Sequence, residues 1–513
     1  MNKTLFLLLS AFAISAQANI TTEKVSLSTS TMTIEKQNTR NGTFSRLNMP
    51  GIELNKHVGT PELPVRSLLL QGRPGDIKVQ MKTTKLETFA GLKPMPVQSQ
   101  PCRCDVPEKP FRFNAQSYET SSAYTLKYLG AFRGTPITRL DINLAYYDAK
   151  ANSTVFRTET EFAYDAPVYS FESREYSDYL IIAPASLVEG VNKFADWKRS
   201  RGNTVHIETL AAPNNTLAGI SAMVKSYYTD KGVDFVIFVG DESTIPMFQV
   251  DTSGSSRTPT DLKHFTMDGA DDHVPDMFYS RIVATSAIQA EFILSKAIEF
   301  EQKSFENMSG LKSMIGIASN EGYNPSDDEY VTSIENKFKS ALGIEATHYK
   351  QNNSNSKPSE LNKSFDNGAV WLTYLGHGSG TSWPSMYQTY TTSHVRGMSN
   401  NTSVKPVIID VACMNGKITS SYLGSSFMKT DSRSPFGAVA YLGGTVNISW
   451  HPPAVMARGI AYEHIDKKFK HLGEAILAGQ LYLAANWNDE EDVIDNFEWY
   501  HLQGDPGMNI EFQ

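Results

Sequence analysis

The chain alternates between two rhythms of apolar and polar positions. From about Ile20 to Ser170 the apolar residues come in short, period-two runs. Ile77-Lys78-Val79-Gln80-Met81 and Leu140-Asp141-Ile142-Asn143-Leu144-Ala145-Tyr146 are examples, separated by Gly, Pro and Asn turns. Period-two alternation puts every second side chain on one face of a sheet, so this region is expected to be β-rich. After Tyr179 the rhythm changes. Tyr179 to Pro184 reads as a strand, and Val188 to Arg201 follows with Val191, Phe194 and Trp197 at helical spacing. Strand Val205–Ile207, helix Leu217–Thr229 and strand Phe235–Val239 come next. Helix Ala287–Phe305, strand Met314–Ile317, helix Glu329–Leu342 and strand Ala438–Leu442 continue the alternation. Strand-helix alternation predicts an α/β sandwich with a mainly parallel sheet, possible as two subdomains.

Two apolar β-branched runs in the second region end abruptly in chemistry. Val370 to Leu375 leads into Gly376-His377-Gly378-Ser379, and Pro406 to Ala412 leads into Cys413-Met414-Asn415-Gly416. Ligands and reacting groups of open α/β sheets gather at the carboxyl ends of strands. Adjacent parallel strands ending in a histidine and a cysteine would set a base beside a nucleophile, as a cysteine peptidase requires. In that reading Cys413 attacks as the thiolate and His377 accepts and returns the proton. The Gly378 N–H, unobstructed by a side chain, and the Cys413 N–H form an oxyanion hole. His394 is a rival base in a polar stretch, and Asp410 reads as structural.

Both blocks, in this order and with the later Trp450-His451-Pro452-Pro453, resemble the gingipain family of caspase-like, secreted bacterial cysteine peptidases. Gly59-Thr60-Pro61-Glu62-Leu63-Pro64-Val65 resembles the start of that family's propeptides, and Gly504-Asp505-Pro506 a structural block near the end of its catalytic domain. The resemblance implies a caspase-like peptidase domain over residues 171–513 and a β-rich propeptide domain over residues 19–170. It implies that Trp450 covers the primary specificity pocket. It carries an acidic residue onto Asp276, in Pro275-Asp276-Met277-Phe278-Tyr279-Ser280-Arg281, as the group orienting His377. The family's pocket acid falls near Gln289, with Glu291 close by, and this departure leaves Arg or Lys specificity open. The family binds calcium, and Asp268-Gly269-Ala270-Asp271-Asp272 supplies oxygen-rich candidates in Asp268, Asp271 and Asp272, without EF-hand spacing. The chemistry itself needs no cofactor.

Composition narrows the class. The chain has 513 residues, 40% hydrophobic and 20% charged, enough for more than one globular unit. A formal charge of −8 without a basic tract argues against nucleic acid as a partner. Lys3, the apolar run Leu5 to Ile14 and Ala16-Gln17-Ala18 read as a signal peptide, residues 1–18, cut after Ala18. No later run is long enough for a membrane span. Family members usually continue into further domains beyond this point, so a simpler secreted or periplasmic enzyme is expected. Of three cysteines, Cys102 and Cys104 flank Arg103. They close a small disulfide, stay reduced or bind metal, and the spacing does not choose.

The expected function is a secreted cysteine endopeptidase made as a zymogen, acting on protein or peptide substrates and inhibited by its own propeptide. Arg174, in the polar stretch from Tyr164 to Asp178, is the expected processing site. Two other readings remain: a transpeptidase using the same cysteine, and a non-catalytic surface protein that binds partners on the same fold.

Overall fold

The computed structural model describes residues 20–104, 110–113, 115–118, 122–302, 310–400, 403–429 and 436–512. The expected leader, with its cut after Ala18, lies outside them.

The N-terminal region is built from antiparallel sheets. Ser153–Tyr164 is the central strand of one, pairing with Thr21–Ser26, Val79–Ala90 and Ala145–Asp148. Thr135–Asn143 is central in a second, between Val65–Gln71 and Tyr124–Phe132. Alternate residues of these strands, among them Leu70, Leu140, Ile142, Phe156 and Phe162, meet in one hydrophobic cluster.

The C-terminal region carries two main sheets, beside the short antiparallel pairs Phe248–Thr252 with Ser255–Thr260 and Ser382–Trp383 with Tyr390–Thr391. The smaller is wholly parallel, in the order Thr204–Leu210, Asp178–Pro184, Phe235–Val239, Phe278–Ile282. The larger runs Glu345–Lys350, Ser313–Ala318, Trp371–Leu375, Val407–Val411, Ala440–Gly444, Tyr500–Gln503, with only the last strand antiparallel. Its central strands are buried on both faces, which is why they read as continuous apolar runs rather than alternating ones. Helices between strands start at clear caps. Ser286 accepts from the Gln289 N–H at the head of Ala287–Glu301, and Ser326 and Glu329 form a capping box at the head of Asp327–Leu342.

Some elements differ from expectation. The helix expected from Val188 opens as a 3₁₀ turn, Val188–Val191, before Asn192–Ser200. Beyond Ala440–Gly444 the structure adds helices His451–Lys467, Leu472–Asn486 and Glu490–Trp499. Leu472–Asn486 is buried nearly all round, so its sequence lacks the apolar stripe that marks a surface helix. The segment before Asp178 is less solvated than its polarity suggests. Phe171 and Tyr176 enter the main core, whereas the Arg174 side chain is 52% exposed. Among the described residues, no helix is long and apolar enough to cross a membrane.

The two regions touch at three places that matter below. The Val58 N–H donates to Asp489 and the Lys56 N–H to Asn488. Ala131 and Arg133 donate their N–H groups to Asp272 and Asp276. Residues 101–104 lie over the carboxyl end of the larger sheet.

Candidate active site

Strand register builds the site. Leu375 pairs with Val411 across two adjacent parallel strands, so His377 and Cys413 each sit two residues beyond a matched pair. The two side chains therefore leave neighbouring strand ends at the same level. Gly378 is needed for the close fit: a Cβ there would lie 2.7 Å from the Cys413 nitrogen and 2.3 Å from its oxygen. Met414 takes a positive φ of 60°, turning the chain sharply after the cysteine, and its N–H is held by the Val446 carbonyl at 2.9 Å. Cys413 is fully buried, and its sulfur accepts the Ile448 N–H at 3.3 Å.

His377 is fixed on several sides. Its N–H donates to Ser385 Oγ at 2.9 Å, and its carbonyl accepts from Tyr374 OH at 2.7 Å. Its Nε2 lies 3.1 Å from Glu321 Oε1, and the ring packs edge-on to Trp450 at 5.3 Å. Glu321 follows strand Ser313–Ala318, whose Ala318 pairs with Leu375. Three consecutive strands of one sheet thus deliver carboxylate, imidazole and thiol in spatial order.

This corrects the expectation for Asp276. Its carboxylate caps the Arg133 N–H at 2.5 Å and the Met267 N–H at 2.9 Å, ahead of a strand of the smaller sheet. Burial, then the neighbouring Asp272, pushes it up to about 7. Glu321 carries no local signal because it lies in a loop that only strand pairing brings to His377. His394 is also elsewhere, with Nδ1 accepting the Thr391 N–H of its own short helix.

The pocket beside Cys413 holds a side chain of the N-terminal region. Cys102 bridges to Ser449 in antiparallel fashion, and the Arg103 N–H donates to the Ile448 carbonyl at 2.9 Å. This is how an extended peptide is added to a strand edge. The Arg103 guanidinium is fully buried and makes a two-pronged pair with Asp327, 2.9 Å from Nη1 and 2.7 Å from Nη2. Its Nε donates to the Trp450 carbonyl at 2.9 Å, and the group lies 4.3 Å over the Trp450 ring, which Tyr323 backs. Asp327 opens its helix, where the positive end of the helix dipole favours a carboxylate, and it also accepts from Ser319 Oγ at 2.7 Å.

Trp450 therefore walls this pocket, but Gln289 does not reach it. The Gln289 amide oxygen folds back onto the Thr285 N–H and hydroxyl at the start of its own helix. Glu291 pairs with Lys193 on the surface. The acid facing Arg103 in this pocket is Asp327, in a first turn that also holds Asp328 and Glu329 and that lies before the expected helix start at Glu329.

Asp410 ties together the loops that follow His377 and Cys413. It is fully buried and accepts from Trp383 Nε1 at 2.9 Å, Asn415 Nδ2 at 3.0 Å and Tyr441 OH. Burial pushes its carboxyl up to about 6. Trp383 belongs to the loop after His377, and Asn415, which also accepts the Gly380 N–H, to the loop after Cys413.

The oxygen-rich loop gathers Asp268, Asp272 and Asp276, whereas Asp271 stands exposed outside the group. Asp272 accepts the N–H groups of Ala131, Val274 and Asp268. Asp276 is likewise capped by backbone donors, from Arg133 and Met267.

The sequence profile of peptidase family C25 matches residues 172–511. Lys-gingipain of Porphyromonas gingivalis is 26% identical over 481 residues, covering 81% of this chain and 27% of that protein. Gingipain R2 of Porphyromonas gingivalis is 26% identical over 368 residues, covering 68% of this chain and 48% of that one. The chain thus spans about a quarter to a half of the length of these relatives. The crystal structure of the Arg-specific cysteine proteinase gingipain R (RgpB) superposes with a TM-score of 0.58 at 23% identity, over 66% of this chain and 80% of that one. The complex of Porphyromonas gingivalis RgpB pro- and mature domains gives the same TM-score and identity, over 65% and 79%. The fold is the caspase-like α/β fold, and, with the profile covering nearly all of its C-terminal region, the chain belongs to peptidase family C25, a family of cysteine-type endopeptidases.

Proposed function

We propose that this protein is a secreted cysteine endopeptidase that cleaves after arginine and is held inactive by its own N-terminal region until that region is cut away. Cys413 attacks the carbonyl carbon of the scissile bond, and His377, oriented by Glu321, takes the thiol proton and gives it to the leaving amine. The oxyanion rests on the Gly378 and Cys413 N–H groups, a contribution of about 3 kcal/mol per donor. Water then releases the acyl group from Cys413.

The observation that carries this reading is the Arg103 side chain in the Asp327 and Trp450 pocket. A buried two-pronged carboxylate selects a planar guanidinium over a lysine ammonium, which is a point charge. An extended segment that fills this pocket beside a fully covered Cys413 also blocks it, as a propeptide should. Arg174 is exposed in the segment joining the regions and pairs with Asp234 at 3.5 Å, which leaves it open to processing.

With a reducing thiol present, the test compares uncut wild type with Cys413→Ala by intact mass over time, then assays fluorogenic peptides bearing Arg, Lys or Ala before the cut. Self-cleavage in wild type alone, with hydrolysis in the order Arg, Lys, Ala, is expected. Equal hydrolysis of all three would sink the arginine assignment. Ligated product with a competing amine would identify a transpeptidase instead.

A further inference from the structure

Cys102 and Cys104 form a disulfide across Arg103. The Cys102 sulfur lies 3.9 Å from the sulfur of Cys413, and single ligand atoms of all three cysteines fall within 4.8 Å of one another. Arg103 causes this. Its buried pair with Asp327 and its N–H bond to Ile448 pin the backbone, so the residue before it is set down on the nucleophile. Blocking the pocket needs only Arg103. Nothing in that blockade requires a cysteine on either side, still less one in contact with the reactive sulfur.

We propose that the Cys102–Cys104 disulfide exchanges with Cys413, so that the latent enzyme carries a Cys102–Cys413 bond and is released by a low-molecular-weight thiol. This rests on the reading of the N-terminal region as an inhibitory propeptide. Disulfides exchange by attack of a thiolate on a disulfide sulfur, and here the attacker is Cys413, whose sulfur lies 3.9 Å from that of Cys102. Side-chain rotation closes the gap between the two sulfurs. The Cys413 sulfur then bonds to Cys102 Sγ, the Cys102–Cys104 bond breaks, and its electron pair leaves on Cys104, which takes up the proton lost by Cys413. One disulfide replaces another, so no oxidant is consumed.

The product is blocked twice. Its nucleophile is capped, and its propeptide stays tethered even after the backbone is cut at Arg174. Cys104 can reverse the exchange by attacking Cys102, re-forming Cys102–Cys104; lasting release of Cys413 with both bonds reduced needs an external thiol. Its thiolate attacks the Cys102–Cys413 bond, and a second equivalent removes the resulting mixed disulfide, leaving Cys413 reduced and the thiol oxidised. Access exists, since Cys102 and Cys104 line a cavity of about 560 Å³ that is also bordered by Ser253, Asn447, Ser449 and Asp489.

The test maps disulfides in the uncut chain. Protein purified without thiols is equilibrated at mildly alkaline pH, blocked with N-ethylmaleimide and digested with pepsin under acid. A peptide joining Cys102 to Cys413, with maleimide on Cys104, is expected. Only Cys102–Cys104 peptides, with maleimide on Cys413, would overturn the proposal. In Cys104→Ser, oxidation with diamide should join Cys102 to Cys413, and the pieces produced by cleavage should stay together on a gel until thiol is added. Separation of those pieces without thiol would also overturn it. So would one zinc ion per chain with all three thiols reduced, because the cluster would then be a metal site. The map is read without any peptidase assay. A bonded chain that never cleaves peptides, even after thiol, would sink the peptidase reading, whereas an active enzyme lacking the bond would sink only this one.

Discussion

Arg103 and Asp327 form a completely buried two-pronged ion pair, with neither side chain accessible to solvent. They lie 224 residues apart, and one comes from each region of the chain. A buried pair recovers its desolvation cost only when its geometry is good and its remaining hydrogen bonds are filled. Both conditions are met, by the Trp450 carbonyl and ring on one side and Ser319 on the other. On the proposed function, the contacts that hold Arg103 would hold an arginine of a substrate, and latency and specificity would share one pocket.

Asp327→Asn should therefore weaken both. Removing one partner of a buried pair strands the other and costs about 3–5 kcal/mol. For arginine substrates kcat/KM is expected to fall by roughly 10²- to 10³-fold, with a smaller change for alanine substrates. The uncut Arg103→Ala chain should show basal activity that the uncut wild type lacks. Steady-state kinetics on the Arg and Ala peptides checks the first statement, and an unchanged Arg-to-Ala ratio would refute it.

Glu321 and Asp276 make opposite predictions. Glu321 touches His377 and is a positioning residue. Glu321→Gln should lower kcat by roughly 10- to 10³-fold with little change in KM, because the imidazole loses the partner that holds its tautomer and orientation. Asp276→Asn should leave kcat of the processed enzyme near wild type. Kinetics on both variants after removal of the N-terminal region decides between them. A large kcat loss in Asp276→Asn alone would restore that residue to the catalytic group.

What the sequence revealed and what it hid follow from locality. His377 and Cys413 announce themselves because each ends an apolar strand within a few residues. Glu321 does not, since its place depends on the pairing of Ala318 with Leu375. Asp327 was hidden by its helix: acids are ordinary in a first turn, and nothing local distinguishes it from Asp328 and Glu329. Arg103 read as a spacer between two cysteines, and only the docking of one region on the other shows its role. The carry-over to Asp276 and Gln289 failed for a related reason. Both sit in plausible local contexts, but on the smaller sheet and its following helix, away from the strand ends that make the site.

Asp410→Ala should cost stability and rate together. The substitution leaves the donors of Trp383, Asn415 and Tyr441 buried without their acceptor, at about 1–3 kcal/mol each before relaxation. The melting temperature of the processed enzyme should fall by several degrees, at about 2–4 °C per kcal/mol. kcat should fall as well, since the loops after His377 and Cys413 lose their common anchor. Asp410→Asn retains an oxygen acceptor and should lie between wild type and Ala. Calorimetry with parallel kinetics tests this, and an unchanged melting temperature in the Ala variant would count decisively against the anchor.

The hold of the N-terminal region should weaken as pH rises. Asp276 is covered by the Arg133 backbone, and burial, then Asp272, raises its carboxyl to about 7 against the Arg133 and Met267 N–H bonds, which lower it. His57, in the N-terminal region, is raised above its ordinary value mainly by its bond to Asp489 of the other region. Burial, then Lys127 and Arg139, oppose that shift but do not reverse it. Separation exposes both groups, so Asp276 returns toward an ordinary carboxylate and His57 toward an ordinary imidazole. The complex thus binds more protons than its parts, from the ordinary carboxylate range up through the raised pKa of each group. Association that takes up protons falls as pH rises through that window. The cleaved N-terminal region, added back to processed enzyme, should inhibit several-fold more weakly at about pH 8 than at about pH 5.5. His57→Gln should flatten the part of this dependence above about pH 6.5, where the unperturbed imidazole would lose its proton. Inhibition constants measured across the range decide the matter, and tighter inhibition at alkaline pH would show that the linkage has the opposite sign.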